Sequence, residues 1–590
     1  MNHPETIYKE RINRFTTLQG KLKKRLAFLS LVRLLVFLLI IFSVFYLVQL
    51  SLYPGIAVTL LLLVVFLAQI RKFNTLQREK NKISNLIKIN KWESDALQHK
   101  YDHYDDGSEF SDPDHPFTND LDIFGNGSLF QYLNRTSTYT GKQKLAKRLS
   151  EPLLKAETIE KNQDAVNELI PCIDQRQDFF ASGMMNAESL DDLDEIKDWL
   201  TEKSRYIYKK RYHIFGVVFP ALSFITITAS IINTACLKFV VANFLLQLLI
   251  TAFNFRHNNR VHARLGKKIE IFKKYDDLLK IIENKTYSSQ LLSEMSDKLI
   301  NNNSSARNNI RRLVKLVSSF DSRLNLLVGT ILNGFLLWDI QCMLRLEKWR
   351  ETHKDNVYEW IELIGDFDML GSLANFGFNN PGYIFPKPDM NVIIDFTGLG
   401  HPLIHVRERV TNDISILSPG EFYIITGANM AGKSTFLRTV AVNLLLAMTG
   451  TPVCAKEAAF RPIKIFSSMR TSDSLRKNES YFYAELKRLK ALIDRLRSGE
   501  RLFIVLDEIL KGTNSADKQK GSRAVLGQIV KLNGAGLIAT HDLDLAEMEK
   551  DLPENLKNKC FEIEINGAEI FFDYRLYDGI TKKMNASLLM

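Results

Sequence analysis

An α/β domain should close this chain, after an all-α body that apolar helical hairpins interrupt, and three observations predict that order. The first is Gly427-Ala-Asn-Met-Ala-Gly-Lys-Ser-Thr435, which fits the pattern G-x-x-x-x-G-K-[ST] between an apolar run at 422–426 and a helix-like segment at 436–446. Strand, glycine loop and helix in that order are the context this phosphate-cradling motif needs. The second is a pair of later apolar runs that end in ionisable residues: 502–506 before Asp507 and Glu508, and 537–540 before His541 and Asp542. Short apolar runs without periodicity read as strands buried on both faces of a parallel sheet. The third is length without charge: residues 34–70 contain no charged side chain in 37 positions, and residues 214–237 and 239–255 are separated only by Lys238.

From the N-terminus, the first uncharged run is too long for one membrane crossing and suffices for two of about 18 residues. Pro54-Gly55 marks a turn in its middle. Lys21, Lys23, Lys24, Arg25 and Arg33 precede this hairpin, with Arg71 and Lys72 after it; Lys209, Lys210 and Arg211 precede the second hairpin, with Arg256, Arg260 and Arg264 after it. Positive residues at both outer ends predict four transmembrane helices, a lipid bilayer as partner, and both termini and all large segments in the cytoplasm. No small-residue cleavage site follows the first run, which argues against a cleavable signal. A fifth apolar stretch, 324–338, is shorter and contains Asn325 and Asn333, and reads as a buried helix of the soluble body.

The same placement accounts for charge. Lysine and arginine number 78 against 67 acidic residues, a net of +11. Basic clusters beside apolar hairpins suit anionic headgroups, and so say little about nucleic acid. Cys172, Cys236, Cys342, Cys454 and Cys560 are scattered without paired spacing, which predicts reduced thiols, with no disulfide and no zinc site. The acidic stretch 102–116 mixes Asp and His irregularly around two prolines and reads as a solvated loop. The predicted organisation is 1–75 with its transmembrane hairpin, 76–116 as a cytosolic linker, 117–205 and 256–385 as two parts of a helical body, 212–255 as the second hairpin, and 386–590 as the α/β domain. Leu129, Leu133, Leu145, Leu149 and Leu153 recur at helical spacing and predict an amphipathic pair. Near the C-terminus, alternation around Asn566-Gly567 predicts a β-hairpin.

The glycine loop fixes the expected chemistry. Backbone N–H groups of Gly427, Ala428, Asn429, Met430, Ala431 and Gly432, and of Lys433, Ser434 and Thr435 at the helix start, would face the phosphates of ATP. Lys433 would reach the β- and γ-phosphates and Ser434 would ligate Mg²⁺. Asp507 would hold the same Mg²⁺ through water, and Glu508 would orient and polarise the attacking water. His541 would bond the γ-phosphate or that water. The plainer readings are an acidic pair opening a surface loop and a histidine that caps a strand end; strand context favours catalysis by Lys433, Glu508 and His541.

Ala428-Asn-Met-Ala-Gly-Lys-Ser-Thr435, Asp507-Glu-Ile-Leu-Lys-Gly-Thr513 and Thr540-His541 together resemble the MutS family of DNA mismatch-repair ATPases. The family usually has Pro where Ala428 stands and Gly where Ala431 stands, so this is a divergent version. Gly400-His-Pro-Leu403 resembles the family's entry into its ATPase domain, and Met469-Arg-Thr-Ser-Asp-Ser-Leu475 with Glu479-Ser-Tyr-Phe482 resembles the segment that reaches across a dimer. The resemblance implies an ABC-type P-loop ATPase domain behind a helical core and lever, a homodimer, Ser480 acting in trans on the partner's γ-phosphate, and a DNA-related role. Ser480 also reads as an ordinary helix N-cap. No Phe-x-Glu wedge for a mispaired base occurs anywhere in the sequence, so mismatch recognition is not carried over. The alternative is a nucleotide-gated membrane scaffold or mechanical switch that does not bind DNA. A transporter reading fares worse, because Leu475-Arg-Lys-Asn-Glu-Ser480 lacks the glycines of a transporter signature.

Overall fold

The computed structural model describes residues 3–301, 304–470, 481–510, 514–566 and 569–581. Helix α1 (Pro4–Phe42) begins on a proline, whose missing N–H is harmless in a first turn, and continues through a π-helical turn, Ser43–Leu47. Helix α2 (Leu52–Ala96) runs back beside it: Ser43 meets Thr59, Phe37 meets Phe66 and Arg33 covers Phe73. The reversal lies at Ser51, whose backbone is extended. Pro54-Gly55, expected as the turn, sits instead in the first turn of α2, a position that tolerates proline.

The second hairpin joins α3 (Lys210–Ile232) to α4 (Leu237–Glu283). Its reversal also comes early, where Asn233 accepts a hydrogen bond from the Ala235 N–H at 3.0 Å, so Lys238 lies in the first turn of α4. Four helices, Pro4–Leu47, Leu52–Ala96, Lys210–Ile232 and Thr234–Glu283, are long and apolar enough to cross a membrane by length and composition. Between α3 and α4 the polar side chains face inward. Ser223 accepts from Asn243 at 2.9 Å and from Gln247 at 2.6 Å, and Tyr212 donates to Asn254 at 3.0 Å. Outward stand Phe224, Ile225, Leu245 and Leu249. That is the reverse of a helix pair in water.

Helix α5 (Leu326–Leu336) departs from expectation. It is not buried in the soluble body: Leu326, Leu327 and Ile331 are exposed, because its Asn333 turns inward to Asp339 and leaves the leucine face outside. An 80° bend joins it to α6 (Trp338–Asn379), the long helix of the body. Packed on α6 are Tyr139–Ser150, Ala156–Leu169 and Ile173–Gly183. The amphipathic pair expected around 129–153 resolves into Leu129–Leu133 and Tyr139–Ser150, divided where Thr138 caps the second helix by accepting from the Gly141 N–H. Leu145 and Leu149 are buried as their spacing requires.

The C-terminal part holds two sheets. A four-stranded sheet has β1 (Lys387–Pro388), β5 (Glu457–Phe460), β2 (Ile394–Leu399) and β3 (Asn412–Ile416) in that order. A six-stranded sheet runs β10 (Glu569–Asp578), β9 (Leu556–Asn566), β4 (Phe422–Gly427), β8 (Ala535–Ala539), β7 (Leu502–Asp507) and β6 (Lys464–Ser468). All neighbours in it are parallel except β9 and β10. The expected C-terminal hairpin is present, with Asn566 opposite Glu569; its turn residues Gly567 and Ala568 lie outside the described residues. Helices α7 (Lys433–Thr449), α8 (Tyr481–Arg497) and α9 (Ser515–Lys531) accompany the sheet. Every residue of β4 and β8 is buried, which is what their unbroken apolar sequences require of central parallel strands.

Candidate nucleotide site

Register brings the expected residues together. Ala539 lies opposite both Ile425 and Asp507, so Gly427, Glu508 and His541 leave the same edge of three adjacent strands. Ligands of open parallel sheets bind at that edge. From Gly427 the 427–435 loop turns into α7 through Gly432, at φ +99°. Gly427 itself has φ +151°, and a β-carbon there would stand 2.9 Å from the Phe561 carbonyl oxygen. Both glycines are therefore required by the backbone path.

The Lys433 ammonium donates to the Gly427 and Ala428 carbonyls at 2.9 and 2.8 Å, and lies 3.2 Å from His541 Nε2. The same His541 nitrogen is 2.8 Å from Glu508 Oε1. Lysine, histidine and glutamate, far apart in sequence, thus form one continuous line. Glu508 holds φ +50°, and its N–H donates to the Ala539 carbonyl at 2.9 Å. A non-glycine residue in the left-handed region costs roughly 1–3 kcal/mol, and such strain gathers at functional sites.

These residues open into a cleft of about 570 Å³. Asn429, Met430, Ala431, Gly432, Lys433, Ser434 and Thr435 form its floor, with Glu508 and His541 at one side. Asp507 ends β7 half-buried and is not among the lining residues. Gly427 and Ala428 lie beneath, contributing carbonyls to Lys433. Ser480 and the Lys511–Thr513 segment fall outside the described residues.

Sequence reasoning missed the far wall. His401, Val410, Asn412 and Tyr574 line it, and Asn412 binds the strand that carries Tyr574, donating to the Tyr574 carbonyl at 3.1 Å and accepting from the Leu576 N–H at 2.8 Å. The Tyr574 ring stands over Gly432, where a β-carbon would come within 3.0 Å of it. An aromatic face beside a phosphate-sized cradle suits stacking on a base. Only Gly400-His-Pro gave a sequence signal for this wall; nothing local marks Tyr574 as part of a site.

A second layer ties the site to the helical body. Buried Asp120 accepts from the Ser467 hydroxyl at 2.7 Å, the Arg470 N–H at 2.8 Å and the Arg488 guanidinium at 3.1 Å. Its own carbonyl accepts from Arg438 of α7 at 2.9 Å. Glu485 of α8 accepts from the Leu510 N–H at 2.6 Å, three residues after Asp507. The loop after Glu508 is thereby fixed to the helix that follows the 471–480 segment.

His401 has a consequence for pH. Burial, with the nearby positive charges of Arg438 and Arg409, pushes its pKa down to about 4. An unfolded histidine titrates near 6.5. A depressed folded pKa means that the stability is present above 6.5 and lost as pH falls toward 4, by up to about 3 kcal/mol. Melting temperature should therefore drop more steeply from pH 6.5 to 4 in the wild type than in His401→Gln. Parallel curves for the two proteins would show that His401 is not held neutral.

The residues present suit a magnesium nucleotide. The cradle admits no side chain at Gly427 or Gly432, and the loop feeds a 17-residue helix whose N-terminus attracts anions. Mg²⁺ takes one or two protein oxygens together with phosphates and water, and Ser434 and Asp507 offer that donor set.

Family models match two stretches of the chain: MutS domain III over residues 117–374 and MutS domain V over residues 423–586. The second takes in the glycine loop, Asp507, Glu508 and His541. A DNA mismatch repair protein MutS from Thermotoga petrophila is 30% identical over 238 residues, which are 40% of this chain and 29% of that protein. The protein of that name from Finegoldia magna is 37% identical over 231 residues, 38% of this chain and 26% of that protein. For Fusobacterium nucleatum the figures are 33% over 234 residues, 38% and 26%. The match therefore spans less than a third of each relative's length. Two domain models of one family, together taking in more than two thirds of the residues, place the chain: it belongs to the MutS family.

Proposed function

We propose that this protein is a membrane-anchored, Mg²⁺-dependent ATPase in which two copies pair and nucleotide turnover moves the helical body. The observation that carries the proposal is the Lys433–His541–Glu508 line beside the glycine loop. In this reading residues 386–590 form a P-loop ATPase domain of the ABC type and 117–205 with 256–385 form the core and lever. Residues 34–70 and 212–255 are transmembrane hairpins; 1–75 and 76–116 are the anchoring segment and cytosolic linker. Termini and ATPase domain stand in the cytoplasm.

Loop N–H groups and Lys433 bind the phosphates of ATP, and Lys433 offsets charge as the γ-phosphoryl group leaves. Glu508 orients the attacking water and draws on its proton. His541, bonded to Glu508, holds that carboxylate in place and reports the γ-phosphate. When bound, Mg²⁺ would supply positive charge that offsets the phosphates, and Ser434 and Asp507 are the residues that would hold it. Ser480 acts in trans, across the homodimer.

A DNA-related role follows from the relatives, which are named DNA mismatch repair proteins. The other reading, a nucleotide-gated scaffold or mechanical switch without DNA, is favoured by basic residues that flank apolar hairpins. Purified full-length protein in detergent separates the two. It should hydrolyse ATP in either case, and DNA binding that weakens steeply with salt supports the first. Undetectable DNA binding by an active ATPase supports the second, and no affinity for adenine nucleotides sinks both.

A further inference from the structure

Helix α5 offers water a face that no soluble protein body needs. Leu324, Leu326 and Leu327 are 71%, 82% and 75% exposed, and Ile331 is 56% exposed. Residues 324–338 contain no charge. Asn325 spends its side chain capping the helix, accepting from the Val328 N–H at 3.1 Å.

Thr330 is exposed beside the leucines, whereas Asn333 turns inward and braces the bend. Asn333 accepts from the Asp339 N–H at 2.9 Å and donates to the Asp339 carboxylate at 3.1 Å. Asp339 also pairs with Arg323 at 3.1 Å, both side chains being buried. Leu337, between the two helices, takes φ +48°.

Position beside α4 decides what the outer face meets. Gly334 touches Phe244 so closely that a β-carbon would fall 2.1 Å from the ring, and the Phe335 ring lies tilted against the same ring, its centroid 5.0 Å away. Phe244 lies 12 residues before Arg256, the first charge after the apolar run. At 1.5 Å per residue that is about 18 Å inside the run's charged boundary, deeper than the midplane of a hydrocarbon core about 30 Å thick. The Arg323 guanidinium lies over Phe255, at the boundary itself. Exposed Leu245, Leu249 and Phe253 of α4 continue the same apolar surface.

We infer that α5 is a re-entrant membrane segment, which dips among the acyl chains to about the bilayer midplane beside the second hairpin and returns on the same side. Eleven residues reach about 17 Å, too short to cross. The inference rests on the transmembrane reading of α3 and α4. Lipid is the occupant because the uncharged face continues one that the hairpin already offers to the bilayer. From the bend, α6 runs as a single helix of 42 residues to Asn379, and near its end Gly377 lies against Pro452 just beyond α7. The helix that starts at the glycine loop is thus joined by one rod to a segment embedded in lipid.

The test is depth-dependent quenching in phosphatidylcholine vesicles containing the full chain. Leu327→Cys, Leu245→Cys and Tyr358→Cys are labelled with an NBD fluorophore, the wild type giving the background from native cysteines. Leu327→Cys should lose emission with doxyl-labelled lipid, as Leu245→Cys does, while Tyr358→Cys responds to aqueous iodide. If Leu327→Cys responds to iodide while Leu245→Cys responds to lipid, α5 lies in water and the inference fails. If Leu327→Cys is shielded from both quenchers, a second copy or another protein covers it and the inference again fails. If Leu245→Cys itself ignores the lipid quencher, the hairpin reading falls, and the inference with it.

Discussion

Glu508→Gln should bind ATP as tightly as the wild type while hydrolysing it about 10²–10⁴-fold more slowly, the usual contribution of a positioned general base. Glutamine keeps the size of the side chain and can still bond His541 Nε2, now 2.8 Å from the carboxylate. It loses the negative charge that, in the proposed mechanism, polarises the attacking water. The strained backbone at Glu508, φ +50°, aims the side chain at the cleft and accommodates glutamine as well as glutamate. Nucleotide affinity measured with a fluorescent analogue, beside phosphate release, checks the two halves separately. Wild-type turnover in this variant would remove Glu508 from the mechanism. Loss of binding together with turnover would instead make it a structural residue of the cleft.

Arg135→Met should destabilise the helical body by about 3–5 kcal/mol, because it strands a buried carboxylate. Arg135 bonds Glu93 of α2 at 2.6 Å and donates to the carbonyls of Tyr132 and Asn134, and its guanidinium stacks 3.6 Å from the centre of the Tyr104 ring. Glu93 accepts also from Tyr104 at 2.9 Å and from Asn379 at 2.8 Å, at the end of α6. One ion pair therefore fastens the first hairpin's inner end, the loop before the body and the last turn of the long helix. Thermal melting of the detergent-solubilised protein measures the effect. The double variant Glu93→Gln with Arg135→Met should recover part of the loss, since no unpaired charge then remains inside. An unchanged melting temperature for Arg135→Met would mean that water reaches Glu93.

Both residues show how far a linear reading goes. Glu508 was legible, because a buried strand that ends in two carboxylates after a glycine loop is a local pattern. The pairing of Arg135 with Glu93 was not, since 42 positions separate them and the intervening loop has no period. The hairpin reversals were placed a few residues late for a related reason. Proline and lysine look like turn residues in a string, yet either fits the first turn of a helix, and the extended Ser51 and the capping Asn233 decide where the chain folds back.

Periodicity, charge-free length and motif spacing are properties of neighbouring residues, and they sufficed for the long apolar helices, the buried strands and the glycine loop. The cleft's far wall and the outward face of α5 needed packing, because Asn412 meets the Tyr574 strand, and Gly334 meets Phe244, across 162 and 90 positions of chain. Contacts at such separation are chosen by how whole elements fit together, and no stretch of sequence around either partner encodes the choice.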